Sequence, residues 1–470
     1  MQFLSRLFLC LAVTGCFSVA PVFSQELDSS FSNIIDEPGL SKKASAVRGI
    51  QESVSLTLAS HPQLKAMVSE LYAQMADIEE RESAFLPKLV LSLGVGREHS
   101  NNTSTRSLTG SGSEQMERRE ASLALRQMLF DGFHTHWQRE SGVEMGQARR
   151  LAMRSQAETL AYDAVQAHLD VMRANFALED HIANLQTHER IAKDVGTRAR
   201  LGKDDRAKVS QVSARLSLSL ANVEAAKAKL RAAEAAYFRV VGSRPALSLA
   251  FSPGLLSMPN SLEQLLEEVS SQNPQLLSEA RALRASKAER SAAKSTNLPS
   301  IYLESGASWN DNLDGVKGRN NDAFVMLRMQ YDLFNGGRDS AAKNKAALRV
   351  KRAGYRMEDA QRELSLAAEQ AWHRYQSLST RYALLQDYAE SAENTKRAYI
   401  KQFDIGQRSL IDLLDAENEL LNAKRLSSEA RYDLYLIKYE LLYLQGSLLD
   451  HLSQNITISP KVTKFLDERA

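Results

Sequence analysis

The amino-acid sequence predicts a mainly α-helical fold with a small β part, in which one long unit occurs twice. Three observations lead to this fold class. Landmark residues recur at constant spacings along the 470-residue chain, long proline-free segments carry a seven-residue apolar period, and two shorter segments alternate apolar with polar side chains. Each copy is therefore expected to combine long antiparallel coiled-coil helices with one β-hairpin.

The duplication is visible in landmark residues. Pro87 in "FLPKL" matches Pro299 in "NLPSI" at an offset of 212 residues, whereas Gly202 matches Gly406 at an offset of 204. The first copy therefore contains eight more residues than the second, all of them between Pro87 and Phe130.

The β part consists of two hairpins, predicted near residues 87–130 and 299–334. In the second, Val325, Leu327 and Met329 fall on one face while Arg328 and Gln330 fall on the other, which is the period of a strand. The polar stretches "REHSNNTSTRSLTGSGSEQMERR" and "NDNLDGVKGRNND" predict exposed loops within the hairpins.

The alternation leaves two interpretations open. It suits strands with lipid on one side and water on the other, and it equally suits a soluble sheet with one buried face. Four strands cannot close a barrel, so strands in a membrane would have to be shared among several subunits.

The long segments between the strands predict helices. From Phe133 to Val241 there is no proline, and Leu216, Val223 and Leu230 recur every seven residues. A helix of about 65 residues would be about 100 Å long. Glycines interrupt both long segments, which predicts two helical hairpins with tips near residues 202 and 406.

These landmarks divide the chain into five predicted segments. They are a signal peptide at 1–24, an N-terminal linker at 25–52, a first repeat at 53–245, a second repeat at 246–452 and a C-terminal tail at 453–470. The signal peptide is indicated by Arg6 before an apolar stretch and by a plausible cut after Ser24. "VTGC" also resembles a lipobox, so lipidation of Cys16 is the alternative.

Composition argues against several function classes. Without the signal peptide, 58 basic residues balance 57 acidic ones, and nothing indicates nucleic acid. Both cysteines lie within the signal, and His134 and His136 lack the companions of a metal site. With neither a phosphate-binding loop nor a nucleophile elbow, no enzyme and no cofactor are expected. No later run of 18 apolar residues predicts a membrane helix.

The frame "P…LP…FDG/FNGG…LG/IG…G", and above all "IGQRSLIDLLDAENELLNAKRLSSEARYDLYLIKYELLYLQGSLL", resembles the TolC-like outer-membrane channels of bacterial efflux and type I secretion. The resemblance covers about Ser53 to Leu452. It implies a homotrimer, in which three subunits form a twelve-stranded barrel in outer-membrane lipid, continuous with an α-helical tunnel across the periplasm. It also implies two partners, a periplasmic adaptor and an inner-membrane transporter.

The ending "YLIKYELLYLQGSLLDHL" resembles the type I secretion branch more than the drug-efflux lipoprotein branch, whose chains tend to end in Gly-Gly-Trp. We therefore predict the outer-membrane component of type I protein secretion, served by an ABC transporter. Efflux of small molecules or drugs is the alternative within the family. A periplasmic coiled-coil scaffold or adaptor is the alternative from another class.

Two aspartates in "RSLIDLLDAEN" are the candidate site. Ser409 and Asp412 fit a capping box, so helix capping accounts for part of Asp412. Asp415 lies one turn deeper, where no cap needs it. The resemblance implies that both residues form the narrowest ring at the periplasmic entrance, with six carboxylates in a trimer.

The resemblance also implies contacts that hold this entrance closed. Arg408 and Phe403 match gating positions of the family, although Phe403 replaces a tyrosine. Lys208 stands where the family pattern has an aspartate, so a bridge from Arg408 to it would be repulsive. Asp204 or Asp205 is then the expected partner, unless both are plain N-caps or the gate is looser.

Overall fold

A computed structural model describes residues 47–109, 112–201, 206–246, 248–250 and 258–452. The predicted signal peptide with Cys16, the predicted C-terminal tail, and the candidate gating residues Asp204 and Asp205 lie outside the described residues. The boundaries of the five predicted segments stay predictions.

The elements follow the same order in both copies. The first copy runs through β1 (Val47–Gly49), α1 (Ile50–Ser60), α2 (Pro62–Glu82), a 3₁₀ turn (Ser83–Phe85), β2 (Lys88–Ser100), α3 (Thr103–Thr109), β3 (Glu114–Phe130), α4 (His134–Arg200) and α5 (Arg206–Val241). The second runs through β4 (Ser248–Ala250), α6 (Leu262–Gln272), α7 (Pro274–Lys294), a 3₁₀ turn (Ser295–Asn297), β5 (Ser300–Leu313), β6 (Val316–Gln330), α8 (Arg338–Asp404), α9 (Leu410–Gln445) and α10 (Leu448–His451).

The predicted duplication is confirmed by the lengths of the helices. α1 and α6 have 11 residues each, α2 and α7 have 21, α4 and α8 have 67, and α5 and α9 have 36. Pro62 and Pro274 each occupy the first turn of their helix, where a missing N–H group costs nothing. At 1.5 Å per residue, α4 and α8 are about 100 Å long, as the sequence predicts.

The larger sheet has four strands in the order β2-β3-β5-β6, and all neighbours are antiparallel. The smaller one pairs β1 with β4 in parallel. In the β5–β6 hairpin, Leu313 pairs with Val316 across a two-residue turn. Asp314 and Gly315 in that turn have φ angles of 53° and 79°, the left-handed geometry of a type I′ turn.

One face of the larger sheet is apolar and exposed. Leu91, Leu93 and Val95 on β2 are 65%, 74% and 81% exposed, and Val325 and Leu327 on β6 are 72% and 68% exposed. These residues lie at alternating positions, so they share one side of the sheet. A single chain thus leaves a broad apolar surface uncovered.

The junctions between strands and long helices are fixed by backbone geometry. Gly132 has a φ of +73°, and a Cβ there would lie 2.7 Å from the carbonyl oxygen of Ser295. Asp131, just before it, accepts hydrogen bonds from the backbone N–H and the hydroxyl of Thr135, at 2.8 Å and 2.6 Å. The residues of "FDG" therefore have a structural role, in which Asp131 caps the helix and Gly132 supplies the left-handed backbone angle.

Two apolar clusters hold the helices together. The larger lies where α1, α4, α5 and α9 meet and includes the fully buried Tyr237, and the second joins α6, α8 and α9 around Leu441. Helix α9 contributes to both clusters. The return helix of the second copy is therefore packed against both copies.

Two details of the β part differ from the sequence-based expectation. Both predicted loops are partly strand: β2 continues to Ser100 and β3 begins at Glu114, with the short α3 between them, and β5 and β6 are separated only by residues 314 and 315. Strand β6 ends at Gln330, so Tyr331 and Leu333 lie beyond it. Gly336 and Gly337 have φ angles of +67° and +84° and turn the chain into α8 instead.

Over the ranges that the structure describes, no helix combines the length and the apolarity that a membrane crossing requires.

Candidate functional site

The turn between α8 and α9 positions the candidate aspartates. Gly406 has a φ of +78°, and its N–H donates to the carbonyl oxygen of Phe403 at 3.0 Å. The N–H of Gln407 donates to the carbonyl oxygen of Gln402 at 2.8 Å, which completes a Schellman motif at the end of α8. Only five residues, 405–409, separate the end of α8 at Asp404 from the start of α9 at Leu410. The tip is therefore a short and geometrically defined turn.

Asp412 takes part in the cap of α9. The Ser409 hydroxyl accepts from the Asp412 N–H at 3.2 Å, and the Asp412 carboxylate accepts from the Ser409 N–H at 3.2 Å. This is the capping box that the sequence predicts. The Arg408 guanidinium lies 3.9 Å from Oδ2 of Asp412, the same oxygen that accepts from the Ser409 N–H.

Asp415 makes a contact between the two copies. Arg215 on α5 donates from Nη2 to Oδ1 of Asp415 at 3.3 Å. The Asp415 side chain is 62% exposed and that of Arg215 36% exposed, so the pair lies at the surface. The sequence reasoning missed Arg215, because a pair 200 residues apart leaves no local pattern.

Arg408 contacts its own hairpin. Its guanidinium carbon lies 4.2 Å from the centre of the Tyr399 ring, and its Nε donates to the Gln402 side chain at 2.9 Å. Phe403 is instead reached from the first copy, since the Arg198 guanidinium lies 5.4 Å from its ring centre. Phe403 thus contacts a cation of the first-copy hairpin, whereas these contacts of Arg408 lie within the second-copy hairpin.

Lys208 lies in the first turn of α5 and is exposed. The gating roles of Arg408, Phe403, Lys208, Asp204 and Asp205 stay predictions.

An apolar layer supports the tip from behind. Val195 on α4, Val212 on α5 and Leu414 on α9 are buried together, with Leu410 packed against them. Leu414 lies between Asp412 and Asp415 in sequence but points to the opposite side of the helix, where it is 1% exposed. The two aspartates are therefore carried by a helix turn that is anchored on the first copy.

A layer of charges lies just beyond that apolar layer. The Lys396 ammonium lies 2.6 Å from the carboxylate of Glu417, whose side chain is 8% exposed. His188 on α4 is also buried. Burial lowers the pKa of His188, and Arg215 lowers it further, while Glu417 acts in the opposite direction. The neutral form of the His188 imidazole is therefore favoured in the folded protein.

Within the described ranges, no three His, Cys, Asp or Glu side chains are grouped closely enough to hold a metal ion. The tip therefore presents two carboxylates at the surface, Asp412 held by the helix cap and Asp415 held by the Arg215 guanidinium.

Comparison with known proteins identifies a matching family. The model of the outer membrane efflux protein family matches residues 53–243 and 265–447, one match in each copy. Among curated proteins, the outer membrane efflux protein BepC of Brucella suis is 28% identical over 371 residues, covering 78% of each chain.

Two other relatives extend over more of the chain. The alkaline protease secretion protein AprF of Pseudomonas aeruginosa is 25% identical, covering 86% of this chain and 85% of its own. The outer membrane protein TolC of Vibrio cholerae is 24% identical, covering 86% of this chain and 92% of its own.

Solved structures show the same fold at lower identity. The CmeC outer membrane channel of Campylobacter jejuni superimposes with a TM-score of 0.75 at 16% identity, over 89% of both chains. The MtrE outer membrane channel of Neisseria gonorrhoeae in its open state gives 0.69 at 18% identity, over 87% of this chain and 94% of that one.

Proposed function

This chain belongs to the outer membrane efflux protein family, and from that premise we propose that three copies of it form one export conduit through the outer membrane. As a TolC-family protein it is a transport protein of the outer membrane and not an enzyme. Family membership favours a channel over the periplasmic scaffold or adaptor that the long helices alone would also allow.

The observation that carries the proposal is the open sheet. It has four strands, an exposed apolar face, and β2 and β6 at its two edges. In lipid the N–H and C=O groups of those edges would have no hydrogen-bond partner, and each unsatisfied group costs on the order of several kcal/mol. Pairing β6 of one copy with β2 of the next satisfies both edges, and three copies give twelve strands.

Disulfide crosslinking tests this closure. Because Cys10 and Cys16 are the only cysteines of the chain, a processed protein offers a clean background for new ones. We expect Leu93→Cys on β2 combined with Val325→Cys on β6 to give dimers and trimers in native membranes under oxidation.

The matched control places both cysteines within one chain. Leu123 on β3 and Ala307 on β5 are direct partners in the register, so Leu123→Cys with Ala307→Cys should crosslink without any change in mass. If the edge pair remained monomeric while this control crosslinked, the shared barrel would be wrong. A scan of neighbouring β6 positions covers the unknown register between chains.

At the other end, we propose that Asp412 and Asp415 form the entrance constriction. The 67-residue helices carry the tip about 100 Å from the sheet, which is enough to place it deep in the periplasm. The exposure of Asp415 supports this role. We further propose that Arg215 is a copy-one residue that holds the second hairpin in place, because it makes the contact to Asp415.

The proposed route is type I protein secretion, with a periplasmic adaptor and an ABC-type inner-membrane transporter as partners. The C-terminal sequence "YLIKYELLYLQGSLLDHL" supports it, as do relatives named for protease secretion, AprF and the PrtF protein of Dickeya chrysanthemi. Small-molecule efflux is the second candidate, supported by the similarity to BepC.

Deletion of the gene in its own host separates the two routes. Protein secretion predicts that one or a few large polypeptides disappear from the culture supernatant while sensitivity to dyes and detergents stays unchanged. Efflux predicts increased sensitivity with an unchanged supernatant. Complementation with the wild-type gene, and with a Gly132→Asp variant expected to misfold, shows whether the effect depends on the folded protein.

A further inference from the structure

We propose that the polar face of the sheet binds acidic polypeptide segments at its helical end, through a basic belt formed by Lys88, Arg126 and Arg328 around Glu304. The inference rests on the proposed function, since it takes this face to line the interior of a closed barrel. The exported polypeptide would contact the belt as it passes from the helical part of the conduit into the interior of the barrel.

The register of the strands places these residues on one face. Lys88 pairs with Arg126, and Arg126 pairs with Glu304, while Arg328 pairs with Tyr302 two positions from Glu304. All of them face away from the exposed apolar surface of Leu91 and Val325, because they lie at the alternate positions of the same strands. Lys88 is the first residue of β2, so the belt lies where the strands join the helices.

A single carboxylate serves two guanidinium groups in this belt. Glu304 lies 2.6 Å from Nε of Arg328 and 3.6 Å from Nε of Arg126. Its side chain is 19% exposed, whereas those of Arg126 and Arg328 are 49% and 51% exposed. The acid is therefore covered by the two bases, and the bases still present N–H groups to solvent.

The belt carries more positive charge than the fold requires. Lys88 stands directly opposite Arg126, and like charges at such positions destabilise a sheet. No carboxylate lies within ion-pair distance of Lys88 among the residues that the structure describes. Among the strand residues at this level, three cations thus face one carboxylate, an excess of two per chain and of six in a ring of three chains. Just beyond the strands, Asp332 and Asp339 are paired with Arg338.

An arginine farther along the same face shows the contrast. Arg118 forms ion pairs with both Glu98 and Glu120, so its charge is balanced within the sheet. The rung next to the belt consists of Val90, Ala124, Gly306 and Phe324, which carry no charge. Beyond that rung the face carries the acid Asp322 and the paired Arg118, so the excess of positive charge lies at the helical end of the sheet.

The chemistry of the belt suits carboxylates. The guanidinium carbon of Arg126 lies 3.9 Å from the centre of the Tyr302 ring, which orients the planar group while leaving its edge accessible. Arginine binds a carboxylate through two parallel N–H groups, and lysine adds a third donor. An acidic peptide passing this level meets such donors from each chain.

The test uses purified trimers in planar bilayers at low salt, with poly-L-glutamate added at the barrel side. We expect poly-L-glutamate to block the current, and poly-L-lysine at the same concentration to block less from that side. Arg126→Gln combined with Arg328→Gln should raise the half-blocking concentration at least about tenfold, since two charge-assisted contacts per chain are lost. Lys88→Gln should raise it about threefold, and it leaves every ion pair of the belt intact.

Two further variants separate charge from structure. Glu304→Gln should lower the half-blocking concentration, a change of opposite sign that a purely structural role would not produce. Arg119→Gln, on the opposite face of β3 and paired with Glu117, should leave the block unchanged. Absence of any conductance in the wild-type protein would contradict the proposed channel. Normal conductance with the same block in the wild-type, Lys88→Gln and double-arginine proteins would overturn the belt alone.

Discussion

Nη2 of Arg215 lies 3.3 Å from Oδ1 of Asp415, and this contact joins the return helix of the first copy to the return helix of the second at the tip of the molecule. Both side chains are partly exposed, so the pair is worth roughly 0.2 to 1 kcal/mol. Such an energy is small enough for the contact to open and close readily.

Arg215→Gln tests this contact. Loss of the cation frees Asp415, so we expect larger single-channel conductance and stronger cation selectivity in planar bilayers. In the Asp415→Asn background, Arg215→Gln should change the selectivity less than it does in the wild type, because the pair has already been removed. Strict additivity of the two changes would contradict a direct coupling.

Asp412→Ala combined with Asp415→Ala should lower cation selectivity and weaken block by divalent cations. The variant removes the carboxylates that we propose for the entrance ring, and carboxylate rings attract cations. The measurement is the reversal potential across a salt gradient. Asp387→Ala, an exposed acid on α8 away from the tip, serves as the control, and an unchanged potential in the double variant would rule against the ring.

Ser409→Ala removes the hydroxyl that accepts from the Asp412 N–H. We expect the start of α9 to be destabilised by about 1 kcal/mol, with faster hydrogen exchange over the first turn of the helix. Ser427→Ala, in the interior of α9, should leave exchange at the tip unchanged. Equal exchange in the two variants would show that the capping box does not hold the tip.

The buried carboxyl of Glu158 predicts that the stability of the folded protein depends on pH. The side chain is 1% exposed, its Oε2 accepts from the Leu449 N–H at 3.2 Å, and Oε1 has no hydrogen-bond partner among the described residues. Burial raises the pKa of this carboxyl from 4.5 to about 7, while the Leu449 N–H and Arg154 lower it and Asp450 raises it. Because the folded-state pKa is the higher one, the stabilising contribution is complete below about 4.5 and is lost as pH rises through 7.

Glu158→Gln should remove this dependence and stabilise the protein above pH 7, where the wild-type carboxylate is charged and buried. Thermal unfolding followed by circular dichroism at pH 6 and pH 8.5 measures the difference. We expect the variant to gain more at pH 8.5 than at pH 6. An equal change at both pH values would indicate that Glu158 does not titrate in this range.

Two glycines should respond oppositely to the same substitution. Gly132→Ala places a Cβ against the Ser295 carbonyl in a left-handed conformation, which costs about 1 to 2 kcal/mol before the contact is counted. At Gly354, within α8, a Cβ would meet no atom within 4 Å, so Gly354→Ala should stabilise by about 0.5 to 1 kcal/mol. Denaturant unfolding of both variants measures the sign, and destabilisation by Gly354→Ala would contradict the argument.

Much of the fold is encoded in patterns that are local or periodic. The offsets between Pro87 and Pro299 and between Gly202 and Gly406 report the duplication, and the alternation around Val325 reports the strands. The capping box of Ser409 and Asp412 is likewise local, because its partners are three residues apart. These features are dictated by hydrogen bonding and side-chain period within one element.

Contacts between distant elements could not be predicted in this way. Arg215 sits at an ordinary position of a polar helix, and only the packing of α9 on α4 and α5 brings it to Asp415. The belt was missed for the same reason, since the neighbours of Glu304 come from strands β3 and β6 through the register. The extent of β2 also depends on its partner strand, because polar residues up to Ser100 are held by pairing with β3.

The equal helix lengths in the two copies have a consequence for engineering. Helices of 67 and 36 residues occur in both hairpins, so the two hairpins are matched in length only while the counts agree. Shortening one hairpin by a heptad would retract its tip by about 10 Å and leave a step at the mouth. Deletions made in matched heptads from all four helices would instead give a shorter conduit with a level rim, fit for a cell envelope of different depth.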